Sequence, residues 1–471
     1  GAPREALYAV TVYTSNDVGS GCDCEVWCEL EGALGCTTAA RLQQPDGGDI
    51  FVHASRHSAY GYLTGLPYMM SDLEEGVSLL PLELPAEAAG QRFGYDVAVF
   101  ERPGEEPTFI VGAPYHDTPT TFNEGAVLTF KAGQEGVALE QLFGADVPKI
   151  GNNDRLGWSV DPVGDFNGDG YLDLAVAIHA EAKPSSLDNL QICGASCASP
   201  GTKNCGQSLS YPGAVMIFAG NADGSFNTLP IFQYYSPEAK QTIRNVRAAG
   251  DVNGDGYQDV LVSSRTWDIP DVSNTGGFRL LLGRPHQAYA AGKVQIICEA
   301  DYVFHGHTKD DQMGRGLTTL GDLDGDGCSE FAVGAELEDP STQGVVRVFY
   351  GWDASGKNCA GNNKATMTAL RSYSSNARAG FALAGGHDVD GDGIGDMVIG
   401  GPYYRVNSAS VGAIWLVRGS YLLSLPRETA VSGVQALVGP HSFGSGGEIS
   451  VMKVTGLRPD ALDDEGCRPT T

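Results

Sequence analysis

Positive charge is scarce in this chain. Its 471 residues carry 30 Lys and Arg against 58 Asp and Glu, a net charge of −28. Nucleic acids and anionic membrane surfaces are held through basic patches, so neither is expected as a partner. Long apolar runs are also lacking. No stretch of about eighteen apolar residues occurs, so no segment reads as a membrane-spanning helix. No G-x-S-x-G, H-E-x-x-H or phosphate-binding loop is found, which removes the usual signatures of three hydrolase classes. Asn-x-Ser/Thr is absent, so N-glycosylation is not expected. Arg-Gly-Asp is absent too, so the chain is not expected to present that adhesive peptide itself. The first residue is Gly1 with no signal peptide, as expected of a processed or cut piece of something longer.

Aspartate and glycine, by contrast, recur in order. DFNGDGYLD (165–173) returns as DVNGDGYQD (251–259), DLDGDGCSE (322–330) and DVDGDGIGD (388–396). Each copy sets oxygen side chains at positions 1, 3, 5 and 9: Asp165, Asn167, Asp169 and Asp173; Asp251, Asn253, Asp255 and Asp259; Asp322, Asp324, Asp326 and Glu330; Asp388, Asp390, Asp392 and Asp396. The backbone carbonyl at position 7 (Tyr171, Tyr257, Cys328, Ile394) would add a ligand. Alternate residues of a tight loop can point at one centre, and Ca²⁺ takes roughly six to eight hard oxygens at about 2.3–2.6 Å. Glycines at positions 4 and 6 permit the curl. An EF-hand would need Glu at position 12 and flanking helices. Position 12 is instead Val176, Val262, Val333 or Ile399, inside runs such as LAVAI that read as buried strands. The loops therefore belong to β-hairpins, with about four Ca²⁺ expected; acidic turns without metal are the alternative. The loops hold fourteen carboxylates, so four bound Ca²⁺ would bring the net charge to about −20.

Three copies have a glycine eight residues before the first Asp: Gly157, Gly314 and Gly380; the copy at Asp251 has Ile243 there. Phe93-Gly94, Leu156-Gly157, Met313-Gly314, Ala379-Gly380 and Phe443-Gly444 mark repeat starts. Gly112-Ala113-Pro114, Gly334-Ala335 and Gly400-Gly401-Pro402 follow the next strand. A further strand opens and ends in glycine: 125–133, 213–220, 276–283, 344–351 and 412–419. The first Asp residues are spaced by 86, 71 and 66 positions. Units of four strands at this period predict an all-β propeller. With these motifs, residues 92 to about 452 resemble the FG-GAP repeats of integrin α-subunit heads. That resemblance implies about seven four-stranded blades (six as an alternative), one structural Ca²⁺ in several hairpins, and an extracellular or cell-surface setting. The unit opening at Phe93 has ERPGEEP (101–107) in the loop place, so no ion is expected there.

Two domains are expected: residues 1–90, a Cys-rich β segment, and 91–471, the propeller. The strands LYAVTVY and CEVWCEL with their glycine turns resemble the first half of a PLAT β-sandwich. The alternative is that they close the propeller, removing its open edges. Eleven cysteines point to an oxidising compartment. Cys22, Cys24, Cys28 and Cys36 lack zinc-site spacing and read as disulfide partners. Cys328 and Cys359 could bridge. An odd count leaves at least one thiol free or bonded to another chain, with Cys298 and Cys467 lacking an obvious partner. Residues 181–212, carrying Cys193, Cys197 and Cys205, read as a long insertion between second and third strands. His305-Gly306-His307 reads as a surface loop.

Three functions are open. An extracellular scaffold binding a protein or glycan, with Ca²⁺ structural, is the first. A structural subunit pairing with sister subunits in an assembly is the second. A hydrolase or lyase cleaving glycans or lipid anchors is the third, opposed by the commitment of so many carboxylates to loops. The chain is read as not an enzyme.

Overall fold

The strands form where apolar residues alternate sides. A computed structural model describes most of residues 93–425, apart from 101–107, 118–121, 132–139, 144–152, 180–212, 237–241, 286–294, 298–299, 339–341, 353–358, 360–365 and a few single positions or pairs that include Asp390. Of 1–92 and 426–471 it describes essentially strands alone. In the run Asp173–Ile178, Leu174, Val176 and Ile178 face one neighbouring sheet while Ala175 and Ala177 face the other. Such a strand is buried on both sides, which is why it reads as a continuous apolar run.

Five antiparallel blades of four strands follow one another along the described chain, with Gln295–Ile297 added to the edge of blade 2 and Glu428–Thr429 and His441–Phe443 to that of blade 4. Blade 1 is Val97–Phe100, Thr108–Ala113, Ala126–Lys131 and Glu140–Phe143. Blade 2 is Leu156–Gly164, Asp173–Ile178, Ala214–Phe218 and Phe232–Tyr235. Blade 3 is Asn245–Gly250, Asp259–Ser264, Gly277–Leu281 and Tyr302–His305. Blade 4 is Met313–Gly321, Glu330–Ala335, Val345–Tyr350 and Thr366–Ser372. Blade 5 is Ala382–His387, Asp396–Gly401, Ala413–Val417 and Ile449–Met452. The first, inner strands of blades 2 to 5 pack side by side, as a propeller requires. The core lies between blades: Phe278 and Phe304 of blade 3 meet Phe331 and Phe349 of blade 4, with ring centroids 5.2–5.6 Å apart. Each such buried ring contributes about 1.5–3 kcal/mol.

The expected count of seven or six blades is corrected to five among the described residues. Two places account for the difference. Residues 1–90 supply two three-stranded sheets, Tyr8–Tyr13 with Trp27–Gly32 and Gly35–Thr37, and Ile50–Ala54 with Leu66–Ser71 and Ser78–Pro81. Neither is a four-stranded blade. Phe443-Gly444, read as a repeat start, opens none. His441–Phe443 instead pairs parallel with Thr366–Ser372 on the edge of blade 4. Ile449–Met452 then completes blade 5 against Ala413–Val417. The last chain segment thus covers edges rather than beginning a blade.

Residues 181–212 fall between the second and third strands of blade 2, as expected, but lie outside the described residues. So do loop 101–107 and the side chains of the N-terminal cysteines. Cys328 and Cys359 form a disulfide, with Cα atoms 5.9 Å apart. His305 does not sit in a surface loop: it ends the outer strand of blade 3, buried, with Nδ1 3.0 Å from the Gly306 carbonyl. His307 is outside the described residues.

Candidate metal centres

The four acid motifs occupy one place in four consecutive blades, the hairpin between inner and second strands. The curl is set by glycine. Positions 4 and 6 are left-handed in every copy, with φ of 79° and 90° at Gly168 and Gly170, and 80° and 87° at Gly391 and Gly393. The position-1 carboxylate then accepts backbone N–H groups within its own loop. Asp165 takes Gly168 (2.6 Å), Asp169 (3.0 Å) and Gly170 (2.8 Å). Asp322 and Asp388 take the matching three, and Asp251 takes Asp255 and Gly256. The N–H groups of Gly393, Gly391 and Asp392 hold Asp388 below the usual carboxylate range.

The position-9 carboxylate does something the sequence reading missed. Asp173 accepts the N–H of Phe166 at 3.0 Å and, across the blade, that of Gly220 at 3.0 Å. Asp259 does the same with Val252 and Gly283, Glu330 with Leu323 and Gly351, Asp396 with Val389 and Gly419. Gly220, Gly283, Gly351 and Gly419 are the glycines that end the third strand, a regularity visible in the sequence without its reason. Position 9 therefore braces the loop to the third strand, with both oxygens engaged. Burial pushes its carboxyl up to about 7 at Asp173 and about 8 at Asp259 and Glu330, the other loop carboxylates adding to the effect.

Calcium chemistry fits this donor set. Carboxylate oxygens of Asp322, Asp324 and Glu330 lie within 4.8 Å of one another, close enough to share one cation. In loop 165–173 the Asn167 amide stands between two acids, its Nδ2 donating to Asp169 (3.0 Å) and Asp173 (3.3 Å), with Oδ1 taken by the Asp169 N–H. A partial positive charge occupies the centre, and half a turn of the amide would bring its oxygen there. Asn253 repeats the contact with Asp255 at 2.9 Å. Asp326 also lies near Cys328 and Cys359, but those sulfurs are joined in the disulfide and are no metal ligands. Asp390 lies outside the described residues.

Adjacent loops are also stitched together. Gln258 donates its N–H to the Asp165 carbonyl (3.0 Å), and Ser329 donates to that of Asp251 (2.7 Å). Position 8 of one loop thus holds position 1 of the loop before it.

The FG-GAP repeat model matches residues 156–185, 248–296 and 379–417. The chain is 32% identical to integrin alpha-PS2 of Drosophila melanogaster over 164 residues, 32% of this chain and 11% of that protein. It is 25% identical to integrin alpha pat-2 of Caenorhabditis briggsae over 328 residues, 67% of this chain and 23% of that one. Human integrin alpha-IIb is 27% identical over 168 residues, 35% of this chain and 15% of that one. The chain carries FG-GAP repeats arranged as a β-propeller. It spans under a quarter of the length of the relatives it matches, so the similarity concerns the propeller and not their full length.

Proposed function

We propose that this FG-GAP propeller is an extracellular binding or adhesion scaffold whose hairpin loops hold structural Ca²⁺. The observation that carries the reading is the repetition of one acid loop, with one hydrogen-bond pattern, in blades 2 to 5. In each loop the ligands would be the side chains at positions 1, 3, 5 and 9 and the carbonyl at position 7. The ion would supply positive charge to packed carboxylates and rigidity to the hairpin; it would not need to touch substrate. The similarity to integrin α chains supports a protein ligand or partner subunit, a cell-surface setting, and a role other than catalysis. No helix among the described residues is long and apolar enough to cross a membrane.

Metal analysis of the purified chain, alongside thermal unfolding with and without a calcium chelator, tests the reading. About four Ca²⁺ per chain and a large fall in Tm on chelation are expected. Calcium near zero with an unchanged Tm would make the loops acidic turns only.

A further inference from the structure

The inner strands of blades 2 to 5 end in acid loops, but all five inner strands begin in something else. The residue just after each repeat-start position is Tyr95, Trp158, Arg244, Arg315 or Phe381 in blades 1 to 5. All five line one cavity of about 520 Å³ at the strand ends opposite the acid loops. Their side chains contact one another in two groups. Tyr95 lies 4.5 Å from Trp158, the Arg244 guanidinium 5.3 Å from the Trp158 ring, and that of Arg315 4.0 Å from Phe381. Arginines laid on rings are held in place with their N–H edges exposed for planar acceptors.

Arg247 and Arg265 line the same cavity. Arg247 is satisfied: it binds both oxygens of Asp96, at 3.1 and 3.2 Å, with Asp161 nearby. Arg265 and Arg315 are not in that position. Together with Arg378 they share one carboxylate, Glu336, which is 2% exposed. The three separations are 3.5–3.8 Å, too long for good charge-assisted hydrogen bonds. Among the described residues, Arg315 Nε donates no hydrogen bond and Glu336 Oε2 accepts none. Buried donors left so are costly and rare. Burial, with the like charge of Arg265, holds the Arg315 guanidinium below its ordinary pKa. Three cations around one carboxylate form a local positive centre in a chain of net charge −28.

We propose that this mouth is a docking site for an acidic segment of a protein partner, one Asp or Glu carboxylate entering between Arg265 and Arg315. The arginines converge on a pit rather than tracking along a stripe, so they suit one inserted carboxylate better than an extended polyanion. A peptide carries its carboxylate on a flexible arm that reaches into a pit; a uronic acid carries it directly on the sugar ring. The inference rests on the scaffold reading for its biological sense, yet its site is independent of calcium.

Fluorescence anisotropy of fluorescein-labelled hexaglutamate with the full calcium-loaded chain at low salt is the test, with an oligogalacturonate of equal charge as competitor. Peptide binding should weaken at least tenfold in Arg315→Gln and in Arg265→Gln, and fall with added salt. Glu336→Gln removes the internal competitor and should tighten binding several-fold, an effect no loss of folding would produce. Thermal unfolding of each variant controls for folding. Unchanged binding in all three variants would overturn the proposal, as would absence of binding or tighter binding of the oligogalacturonate through the same arginines. The calcium measurement above fails or succeeds separately: a calcium-free chain that still shows these variant effects leaves the mouth in place.

Discussion

The acid loops and the mouth sit at opposite ends of the same strands and are built by different means. At the loop end the backbone does most of the work: left-handed glycines curl the chain, and carboxylates at positions 1 and 9 accept its N–H groups in all four copies. At the mouth end the side chains change from blade to blade, from Tyr95 through Arg244 to Phe381, and contacts run between blades. A motif held by backbone hydrogen bonds must repeat residue for residue. A surface held by side chains need only keep its position. Disturbing the first should therefore act on folding, and disturbing the second on binding.

Calcium removal is the largest expected effect. A site at a hundredfold excess of ligand over Kd adds about 2.7 kcal/mol, so four add on the order of 10 kcal/mol. Chelation should lower Tm by well over ~10 °C, whereas Arg315→Gln should move it by only a few degrees. Differential scanning calorimetry on both would break the comparison if the two shifts were alike.

Next comes the disulfide, which ties the acid loop of blade 4 to a residue 31 positions on. Closing a loop of that length stabilises by about 3.5 kcal/mol in the chain-entropy account. Cys328→Ser with Cys359→Ser should lose that much in urea unfolding at saturating calcium.

The brace role of position 9 separates from ligation within one loop. Asp259→Ala strips partners from the buried N–H groups of Val252 and Gly283 and should cost about 3 kcal/mol even in chelator, and more with calcium, where it also removes a ligand. Asp255→Ala should cost stability mainly when calcium is present. Equal costs for the two variants in chelator would remove the distinction.

How much of this was legible follows from the same contrast. The loops could be read because glycine spacing and alternating oxygens leave a fixed pattern, and Val176, Val262, Val333 and Ile399 are indeed buried strand residues. The brace was half legible: the glycines ending the third strand were seen, but their hydrogen bonds to Asp173 or Glu330 join positions 47 and 21 apart and leave no local trace. The blade count failed because Phe443-Gly444 has the dipeptide of a repeat start while its strand pairs at the edge of blade 4. Pairing across such a distance is set by which edge is open, not by local pattern. The mouth was missed because Tyr, Trp, Arg, Arg and Phe share no type, only a position after the repeat start.

The smallest effect tests the mouth end through protons. His179, directly after the second strand of blade 2, is buried with its ring centroid 4.1 Å from that of Trp158. Burial, with the charges of Arg244 and Arg155, pushes its pKa down to about 3. Unfolded, it would titrate near 6.5. Between these values the unfolded chain binds the proton and the folded chain does not, so the contribution is present above about pH 6.5 and lost as pH falls towards 3. From pH 7 to 5 this amounts to about 2 kcal/mol. Asp161, raised to about 6 chiefly by burial, acts in the opposite sense, as do Asp173, Asp259 and Glu330, raised to about 7 or 8 in the same way, so the wild-type curve alone does not isolate the histidine. His179→Phe keeps a ring against Trp158 and removes the titration. Its unfolding free energy should fall by about 2 kcal/mol less than the wild type's between pH 7 and 5. Parallel pH curves for the two would mean that the imidazole takes up its proton within the fold, behind the Trp158 ring that lines the mouth.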